Sequence, residues 1–215
     1  MSDFRDHIAI IDYGMGNLHS VAKALEHVSA GAKITVTSDP KVVESADRVV
    51  FPGVGAIRDC MHEINRLDIG RVVKQAIQEK PVLAICVGMQ ALMQSSEENG
   101  GIDCLDILPG QVKYFGDSHK DAQGKKLKVP HMGWNNIYPS IENHSLLTNI
   151  NHELGFYFLH SFYMSCEEAR DVLAISKYGI NFPCIVKKEN VIGIQFHPEK
   201  SHANGIQVFK NFANL

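Results

Sequence analysis

Short apolar runs in the first 86 residues alternate with stretches that have helical periodicity, and this alternation constrains the fold more than any other feature. The strand-like runs are His7 to Ile11, Lys33 to Val36, Arg48 to Phe51 and Pro81 to Cys86. Repeated strand–helix–strand units require a parallel sheet with helices on both faces. The sequence therefore predicts a doubly wound α/β fold with a mostly parallel central sheet.

The residues that precede two of these helices match known start signals. Asn17 precedes a stretch in which apolar residues recur at helical spacing, so it is predicted to cap that helix. Asp39 is followed by Pro40, which is the usual order of a capping residue and the first helical position. Two further helical segments are expected between Gly55 and Glu79.

The pattern changes after Gly100, where strand-like runs follow one another without long helices between them. A closing helix is predicted from Ala203 to Asn214. This second half is expected to add antiparallel strands, and residues 1–215 are expected to form one domain. The predicted strands are Gln111 to Phe115, Leu127 to Tyr138, Phe156 to Met164, Val172 to Tyr178, Cys184 to Lys188 and Val191 to Phe196.

Composition argues against several classes of protein. A net charge of -3 and scattered basic residues give no electrostatic basis for binding nucleic acid. No apolar stretch approaches the roughly 20 residues needed to span a membrane, and residues 1–6 are too charged for a signal peptide. Five cysteines without a Cys-x-x-Cys pair favour a reducing compartment, so a cytoplasmic protein is expected. Histidines are dispersed without zinc spacing, so we expect neither a metal nor a cofactor.

Cys86 ends an apolar strand-like run and is followed at once by a glycine-containing, helix-forming stretch. A tight strand-to-helix turn exposes a side chain above the sheet edge, and a helix N-terminus favours thiolate over thiol. Downstream, the run from Val191 to Phe196 ends in His197-Pro198-Glu199. Residues two apart on an extended chain point the same way, so this strand end can aim an imidazole and a carboxylate at one site. Together the three side chains predict acyl transfer through a thioester.

Each feature also has a structural explanation. A lone cysteine after an apolar strand is usually a small packed hydrophobe, and His-Pro-Glu alone can be a polar strand terminus. The glycine-rich loop Pro52-Gly-Val-Gly55 can be an ordinary turn. It also offers backbone N–H groups without side-chain obstruction, as an oxyanion beside Cys86 requires.

Several motifs resemble those of one enzyme family. The pattern Cys86-x-Gly88-x-Gln90, the distant His197-Pro-Glu199 and the Pro52-Gly-Val-Gly55 loop resemble class I glutamine amidotransferases. Four tracts are similar to those of the glutaminase subunits of imidazole glycerol phosphate synthases: residues 12–18, 130–135, 157–162 and 197–201. The tract Pro130-His-Met-Gly-Trp-Asn135 is the most discriminating. One departure is Ala84, because this family usually has glycine two residues before the nucleophile.

The resemblance implies a flavodoxin-like fold and assigns roles to particular residues. Cys86 is the expected nucleophile, His197 the base and Glu199 the group that orients it. The backbone N–H groups of Val87 and of the Gly53–Val54 peptide are expected to stabilise the oxyanion. Glutamine is the expected substrate, and its expected contacts are Gln90, Ser161 and Phe162.

The resemblance also implies a partner protein. Ammonia needs a protected route to an acceptor, and similar proteins deliver it to a separate (βα)8-barrel cyclase subunit in histidine biosynthesis. The expected product pair is imidazole glycerol phosphate and an aminoimidazole carboxamide ribotide. The expected residues at the interface of this heterodimer are His131, Trp134, Asn135, Tyr157 and Lys200.

Three other functions compete with this interpretation. A paralogous amidotransferase would use the same glutaminase machinery to aminate a different sugar or nucleotide. A catalytically silent flavodoxin-like binding protein would merely pack Cys86 in its core. An independent thiol hydrolase would act on γ-glutamyl amides without any partner, although the tract 130–135 weighs against it.

Overall fold

The computed structural model of the protein describes residues 6–120, 123–141, 143–151 and 153–215. Residues 1–5, which carry most of the charged segment used above against a signal peptide, lie outside the described residues. Among the described residues the largest sheet has eight strands in the order β2-β1-β3-β4-β14-β13-β12-β9. These strands are β1 (His7–Ile11), β2 (Lys33–Thr37), β3 (Arg48–Gly53), β4 (Val82–Cys86), β9 (Ile137–Pro139), β12 (Val172–Tyr178), β13 (Ile180–Lys188) and β14 (Val191–Ile194).

The first five strands of that order pair in parallel and the last three are antiparallel. This confirms the predicted mostly parallel sheet, which places its antiparallel strands at one edge. Every residue of β1 and of β4 is buried, as expected for strands covered on both faces.

The helices form two groups. Helix α1 packs against α6, whereas α4 packs against α2 and α3. This grouping accords with a doubly wound sheet that carries helices on both faces. The helices are α1 (Leu18–Val28), α2 (Pro40–Ser45), α3 (Ile57–Arg66), α4 (Ile69–Glu79), α5 (Val87–Gln90) and α6 (His202–Ala213).

The predicted helix starts had different outcomes. Asp39 caps α2 as predicted, because its carboxylate accepts a hydrogen bond from the backbone N–H of Lys41 at 2.9 Å. The prediction for Asn17 was wrong: its side chain makes no capping bond to α1 and contacts Glu199 instead. The helix after Cys86 forms, but it is a single turn.

Two long strands predicted in the second half are each broken into two. Residues 127–138 contain β8 (His131–Asn135) and the start of β9, which pair with different strands. The predicted strand 156–164 breaks at Ser161 into β10 (Phe156–His160) and the start of β11 (Phe162–Cys166). The break separates two sheets, because β10 pairs with β8 whereas β11 pairs with β7 (Gly110–Tyr114). An apolar pattern continues through such a bend because both flanking segments are half buried.

The strands outside the large sheet form two smaller sheets. A four-stranded sheet has the order β11-β7-β5-β6. Strands β8 and β10 form an antiparallel two-stranded ribbon, here called the ribbon. The remaining strands are β5 (Ser95–Ser96), β6 (Ile102–Asp103) and β7 (Gly110–Tyr114).

Candidate active site

Cys86 lies at the C-terminal end of β4, in the middle of the eight-stranded sheet. Its backbone has φ 55° and ψ −111°, an unusual conformation for a residue other than glycine. Such backbone strain typically costs about 1–3 kcal/mol and is concentrated at functional sites. The predicted sharp turn is therefore present, and it forms with Ala84 in the strand. Ala84 is fully buried between its register partners Phe51 and Gly193.

Two glycines allow the chain to pass close to this turn. A Cβ on Gly88 would overlap the backbone carbonyl of Phe51. A Cβ on Gly53 would lie 2.6 Å from the backbone nitrogen of Gly88 and 2.6 Å from the Tyr13 hydroxyl. Glycine at both positions is what brings the end of β3 against the start of α5.

His197 and Glu199 follow β14, the strand next to β4. His197 Nδ1 and Glu199 Oε1 are 3.0 Å apart, and their side chains are 5% and 1% exposed. The expected pairing is therefore present, but the geometric reason was partly wrong. The strand ends at Ile194, and Glu199 lies in the 3-10 turn Pro198–Lys200, so the turn brings the carboxylate under the imidazole.

Asn17 also reaches this carboxylate, with Nδ2 3.5 Å from Glu199 Oε1. The second carboxylate oxygen, Oε2, is buried without a hydrogen-bond partner among the described residues. The contact from Asn17 joins the loop after β1 to the turn after β14. Residues far apart in sequence thus contact the carboxylate that is bonded to His197.

The electrostatics of His197 favour its protonated form. Burial lowers the pKa of the imidazole, but interactions with the Cys86 sulfur and the Glu199 carboxylate outweigh burial and raise the pKa to about 10. Because Nδ1 faces Glu199, Nε2 is the nitrogen available to Cys86.

A cavity of about 600 Å³ opens over Cys86. This volume lies within the range of small-molecule sites. Six of the predicted site residues besides Cys86 and His197 line it, whereas Gly53, Glu199 and four of the five predicted interface residues do not. The lining residues are Gly16, Asn17, Val54, Gly55, Cys86, Val87, Gln90, Glu98, Pro130, Leu159, His160, Ser161, Phe162, His197 and Lys200.

Gln90 is part of a buried amide network that sequence reasoning missed. Its Nε2 donates to the carbonyl oxygen of Phe162 and to Oε1 of Gln195, both at 3.1 Å. Gln195 is fully buried, and its Nε2 lies 3.7 Å from the Cys86 sulfur. The available signal was a single glutamine in the otherwise apolar run before His197.

The loop after β3 places the predicted oxyanion groups beside the nucleophile. Gly53 is the register partner of Cys86, and Val54 and Val87 line the cavity. The carbonyl oxygen of Val54 accepts a hydrogen bond from the Cys60 sulfur at 3.4 Å. The loop is thus held from the side of α3 as well as by pairing with β4.

The predicted interface residues lie on or beside the ribbon, on two different faces. Trp134 is 51% exposed and stacks on His202, with ring centroids 5.1 Å apart. Tyr157, its register partner, is partly exposed, and the Lys200 ammonium lies 5.7 Å from the centre of the Tyr157 ring. Met132 on the same face is 66% exposed. These side chains form an apolar outer face next to the cavity mouth.

His131 and Asn135 point the other way. His131 is only 3% exposed, so direct contact with a partner, as expected from the sequence, is not available to it in this conformation. The reason is strand alternation, which turns residues 131, 133 and 135 inward when 132 and 134 face solvent. Asn135 is partly buried and donates to the carbonyl oxygen of Lys177 at 2.9 Å.

The described part of the chain contains neither a cluster of metal ligands nor a helix suited to crossing a membrane. No group of three or more His, Cys, Asp or Glu side chains is placed to hold a metal ion. Within the same residues, no helix combines the length and the apolar character that a membrane crossing requires.

Comparison with known proteins places this geometry in a family. The model of the family "Glutamine amidotransferase class-I" matches residues 9–214. A relative from Pseudomonas syringae pv. syringae, named imidazole glycerol phosphate synthase subunit HisH, is 55% identical over 207 residues, 96% of each chain. A relative of the same name from Acinetobacter baylyi is 53% identical and covers 95% of this chain and 96% of its own.

Solved structures agree at the level of the fold. The structure of PurLQS from Thermotoga maritima superposes with a TM-score of 0.69 at 17% identity, over 98% of this chain and 99% of that chain. A glutamine amidotransferase from the same organism gives a TM-score of 0.59 at 15% identity, over 91% of this chain and 76% of that chain. With the strained cysteine, its histidine–glutamate pair and the near-complete family match in place, the chain belongs to the class I glutamine amidotransferase family.

Proposed function

We propose that this chain is the glutaminase subunit of an imidazole glycerol phosphate synthase and acts as a single class I amidotransferase domain. The observation that carries the proposal is the position of Cys86. It lies on the floor of a cavity that opens beside the exposed apolar face of the ribbon. The high identity to relatives named HisH supports the same assignment.

The proposed chemistry begins with attack of the Cys86 sulfur on the side-chain amide carbon of glutamine. The C–N bond breaks as His197 donates a proton to the departing ammonia, and a glutamyl thioester remains. Water, activated by the same histidine, then adds to the thioester, the C–S bond breaks and glutamate leaves. Glu199 keeps the imidazole oriented through its bond to Nδ1.

The charge that develops on the amide oxygen needs backbone donors. We assign this role to Val87 N–H and to the Gly53–Val54 peptide, which lie next to Cys86. Loss of one such donor typically costs about 2.7–4 kcal/mol of transition-state stabilisation. Gln90, Ser161 and Phe162 are the proposed contacts of the bound glutamine, the last two through their backbones.

The released ammonia must be kept from bulk water, because in water it would be protonated and diluted. We propose that a (βα)8-barrel cyclase covers the cavity mouth by binding the outer face of the ribbon through Trp134, Tyr157 and Lys200. The cyclase would use the ammonia to convert a phosphoribulosyl-formimino intermediate into imidazole glycerol phosphate and the carboxamide ribotide. Histidine biosynthesis in the cytoplasm is the corresponding setting.

Reconstitution tests this assignment. Purified chain, the barrel cyclase of the same organism, glutamine and the phosphoribulosyl-formimino intermediate should together yield imidazole glycerol phosphate. Glutamine hydrolysis should be slow for the chain alone and should rise strongly when the barrel binds its ligand. Turnover with a different sugar or nucleotide acceptor, but none with this one, would assign the chain to a paralogous synthase. Rapid hydrolysis that the partner does not change would point to an independent hydrolase.

A further inference from the structure

The inner face of the ribbon carries two histidines that the proposed chemistry does not use. His131 Nδ1 and His160 Nε2 are 2.9 Å apart, and both side chains are buried. His160 Nδ1 lies 2.7 Å from the carbonyl oxygen of Phe162. At the other end, Asn135 Nδ2 lies 3.3 Å from His131 Nε2. Three hydrogen bonds therefore connect Asn135 to the wall of the cavity.

The partners at the two ends decide where each proton lies. A carbonyl oxygen only accepts, so His160 Nδ1 must carry a hydrogen and Nε2 of the neutral ring must accept. His131 Nδ1 must then donate to His160, and His131 Nε2 accepts from the Asn135 amide. The orientation of the Asn135 side-chain amide agrees with this assignment of hydrogens. Its Oδ1 accepts from the Asn136 N–H at 2.8 Å, and its Nδ2 donates to the Lys177 carbonyl oxygen. Every link has one donor and one acceptor.

The surroundings keep both rings neutral. Burial lowers the pKa of His131 to about 4 and that of His160 to about 3. His131 lies between the rings of Tyr178 and Phe158, at centroid distances of 4.0 Å and 5.0 Å. A charged imidazole would need a hydrogen on both nitrogens of His160, and Nε2 would then oppose the hydrogen on His131. The arrangement of hydrogens in which both rings are neutral is therefore the stable one at physiological pH.

The end of this chain of hydrogen bonds shapes the cavity. The Phe162 carbonyl oxygen accepts from His160 Nδ1 and also from Gln90 Nε2, so both of its acceptor positions are used. The neighbouring Ser161 carbonyl oxygen accepts from the Phe115 N–H at 3.1 Å. Both carbonyls of the bend between β10 and β11 are thereby held, and the bend itself lines the cavity.

We propose that His160, oriented by His131, is a positioning residue that fixes the Phe162 carbonyl and so holds the bend at residues 161–162 in the shape that binds glutamine. The proposal rests on the proposed function, because it takes glutamine as the ligand of this cavity. It assigns the inner face of the ribbon to substrate binding, whereas the outer face is assigned to the partner.

Two substitutions distinguish the roles of the two ring nitrogens of His160. In His160→Asn the side-chain amide can replace Nδ1 and keep the bond to Phe162, but it loses the bond to His131. In His160→Gln the amide oxygen can replace Nε2 and accept from His131, but the bond to Phe162 is lost. The measurements are glutamine Kd for the isolated chain by calorimetry and KM and kcat for the complex with its barrel partner.

We expect His160→Asn, which keeps the bond to Phe162 but loses the orienting bond to His131, to raise Kd and KM only about two- to threefold. His160→Gln should raise both about five- to tenfold with kcat changed less than twofold, because one net hydrogen bond is typically worth about 1 kcal/mol. Equal effects of the two variants, or a loss in kcat with unchanged KM, would overturn the proposal. Urea unfolding of each variant establishes that both are folded.

A second measurement needs no variant. Nitrogen-15 NMR of wild-type protein with labelled histidines should find the hydrogen on Nδ1 of His131 and of His160. A hydrogen on Nε2 of either ring would overturn the proposal. Labelling of Cys86 by a glutamine-analogue electrophile, in complex with the barrel, provides the separate control. Wild type that neither labels nor binds glutamine contradicts the proposed function. Wild type that does both, while the two variants behave alike, contradicts only the role of His160.

Discussion

The strand that ends at Cys86 and the two-stranded ribbon are both rich in apolar residues, yet they differ in how far they are buried. Strand β4 is buried along its whole length, between neighbours in the sheet and beneath helices. The ribbon is buried on one face only, and Met132, Trp134 and Leu159 remain exposed on the other. The large sheet therefore carries the proposed reacting groups, whereas the small peripheral ribbon carries both an exposed surface and part of the cavity wall.

The ribbon is nevertheless hydrogen-bonded directly to the turn that carries His197 and Glu199. The Tyr157 carbonyl accepts from the His197 N–H at 2.8 Å, and the Tyr157 N–H donates to the Ser201 hydroxyl at 2.9 Å. Ser201 in turn donates to the His197 carbonyl at 2.6 Å. A partner that shifts the ribbon would therefore act on the backbone that holds His197, the proposed catalytic base.

The largest expected effect is at the sheet. Cys86→Ala should reduce glutamine hydrolysis by the complex at least about a thousandfold, because the nucleophile is lost. Cys104→Ala, which removes a cysteine outside the cavity, should retain activity within about twofold. Steady-state assays of both variants check this prediction. Substantial activity in Cys86→Ala would show that the Cys86 sulfur is not the nucleophile.

The next effect concerns the packing that presents Cys86. Gly88→Ala should lower the free energy of unfolding by about 3 kcal/mol, since its Cβ would overlap the backbone of Phe51. Gly70→Ala is the matched control, because the nearest atom there is the flexible tip of Leu105, and alanine favours the helix. Urea unfolding should place the control within about 1 kcal/mol of the wild type. Equal effects would show that the turn at Cys86 tolerates crowding.

On the ribbon, the expected effect is on association. Trp134→Ala should weaken binding of the barrel cyclase by about 2 kcal/mol, roughly thirtyfold, because exposed aromatic anchors dominate interfaces. Tyr138→Ala removes an aromatic side chain that is 43% exposed on β9, outside the ribbon, and should leave affinity unchanged. Titration calorimetry of both complexes distinguishes the two positions. A larger loss from Tyr138→Ala would move the docking surface away from the ribbon.

The smallest effect tests the inner face of the ribbon by pH. Because the pKa of His160 is lowered to about 3, only the unfolded chain takes up this proton as pH falls below 6.5. Wild-type stability should therefore fall relative to His160→Asn by roughly 1 kcal/mol between pH 7.5 and pH 5.5. His197, whose pKa is raised, is present in both proteins and cancels in the difference. A constant difference across this range would mean that His160 is not held neutral.

Much of the fold and of the catalytic set could be predicted from local signals. The alternation of strands and helices predicted the parallel sheet, and Asp39-Pro40 marked the start of α2. Cys86, His197 and Glu199 could be selected because each is a reactive residue at the end of an apolar run. The roles assigned to them, to the oxyanion groups and to the glutamine contacts stay proposals.

Contacts between distant segments could not be predicted in the same way. Asn17 looked like a helix cap, yet its side chain contacts a carboxylate 182 residues away. Gln195 had no local signal beyond its polarity, and its importance arises from the approach of Gln90 and Cys86. Residues 156–164 read as one strand, because periodicity does not reveal that two halves of an apolar run join different sheets.

By itself the sequence determined which segments become strands and helices, since propensity, capping and apolar periodicity act over a few neighbouring residues. It also determined that a cysteine would end one strand of the sheet and that a histidine would follow shortly after another. Only the tertiary structure decided which apolar faces stay exposed, because burial depends on whether another element arrives to cover them. It likewise decided the order of hydrogen bonds through His131 and His160, which exists only where β8, β10 and the bend at Ser161 meet.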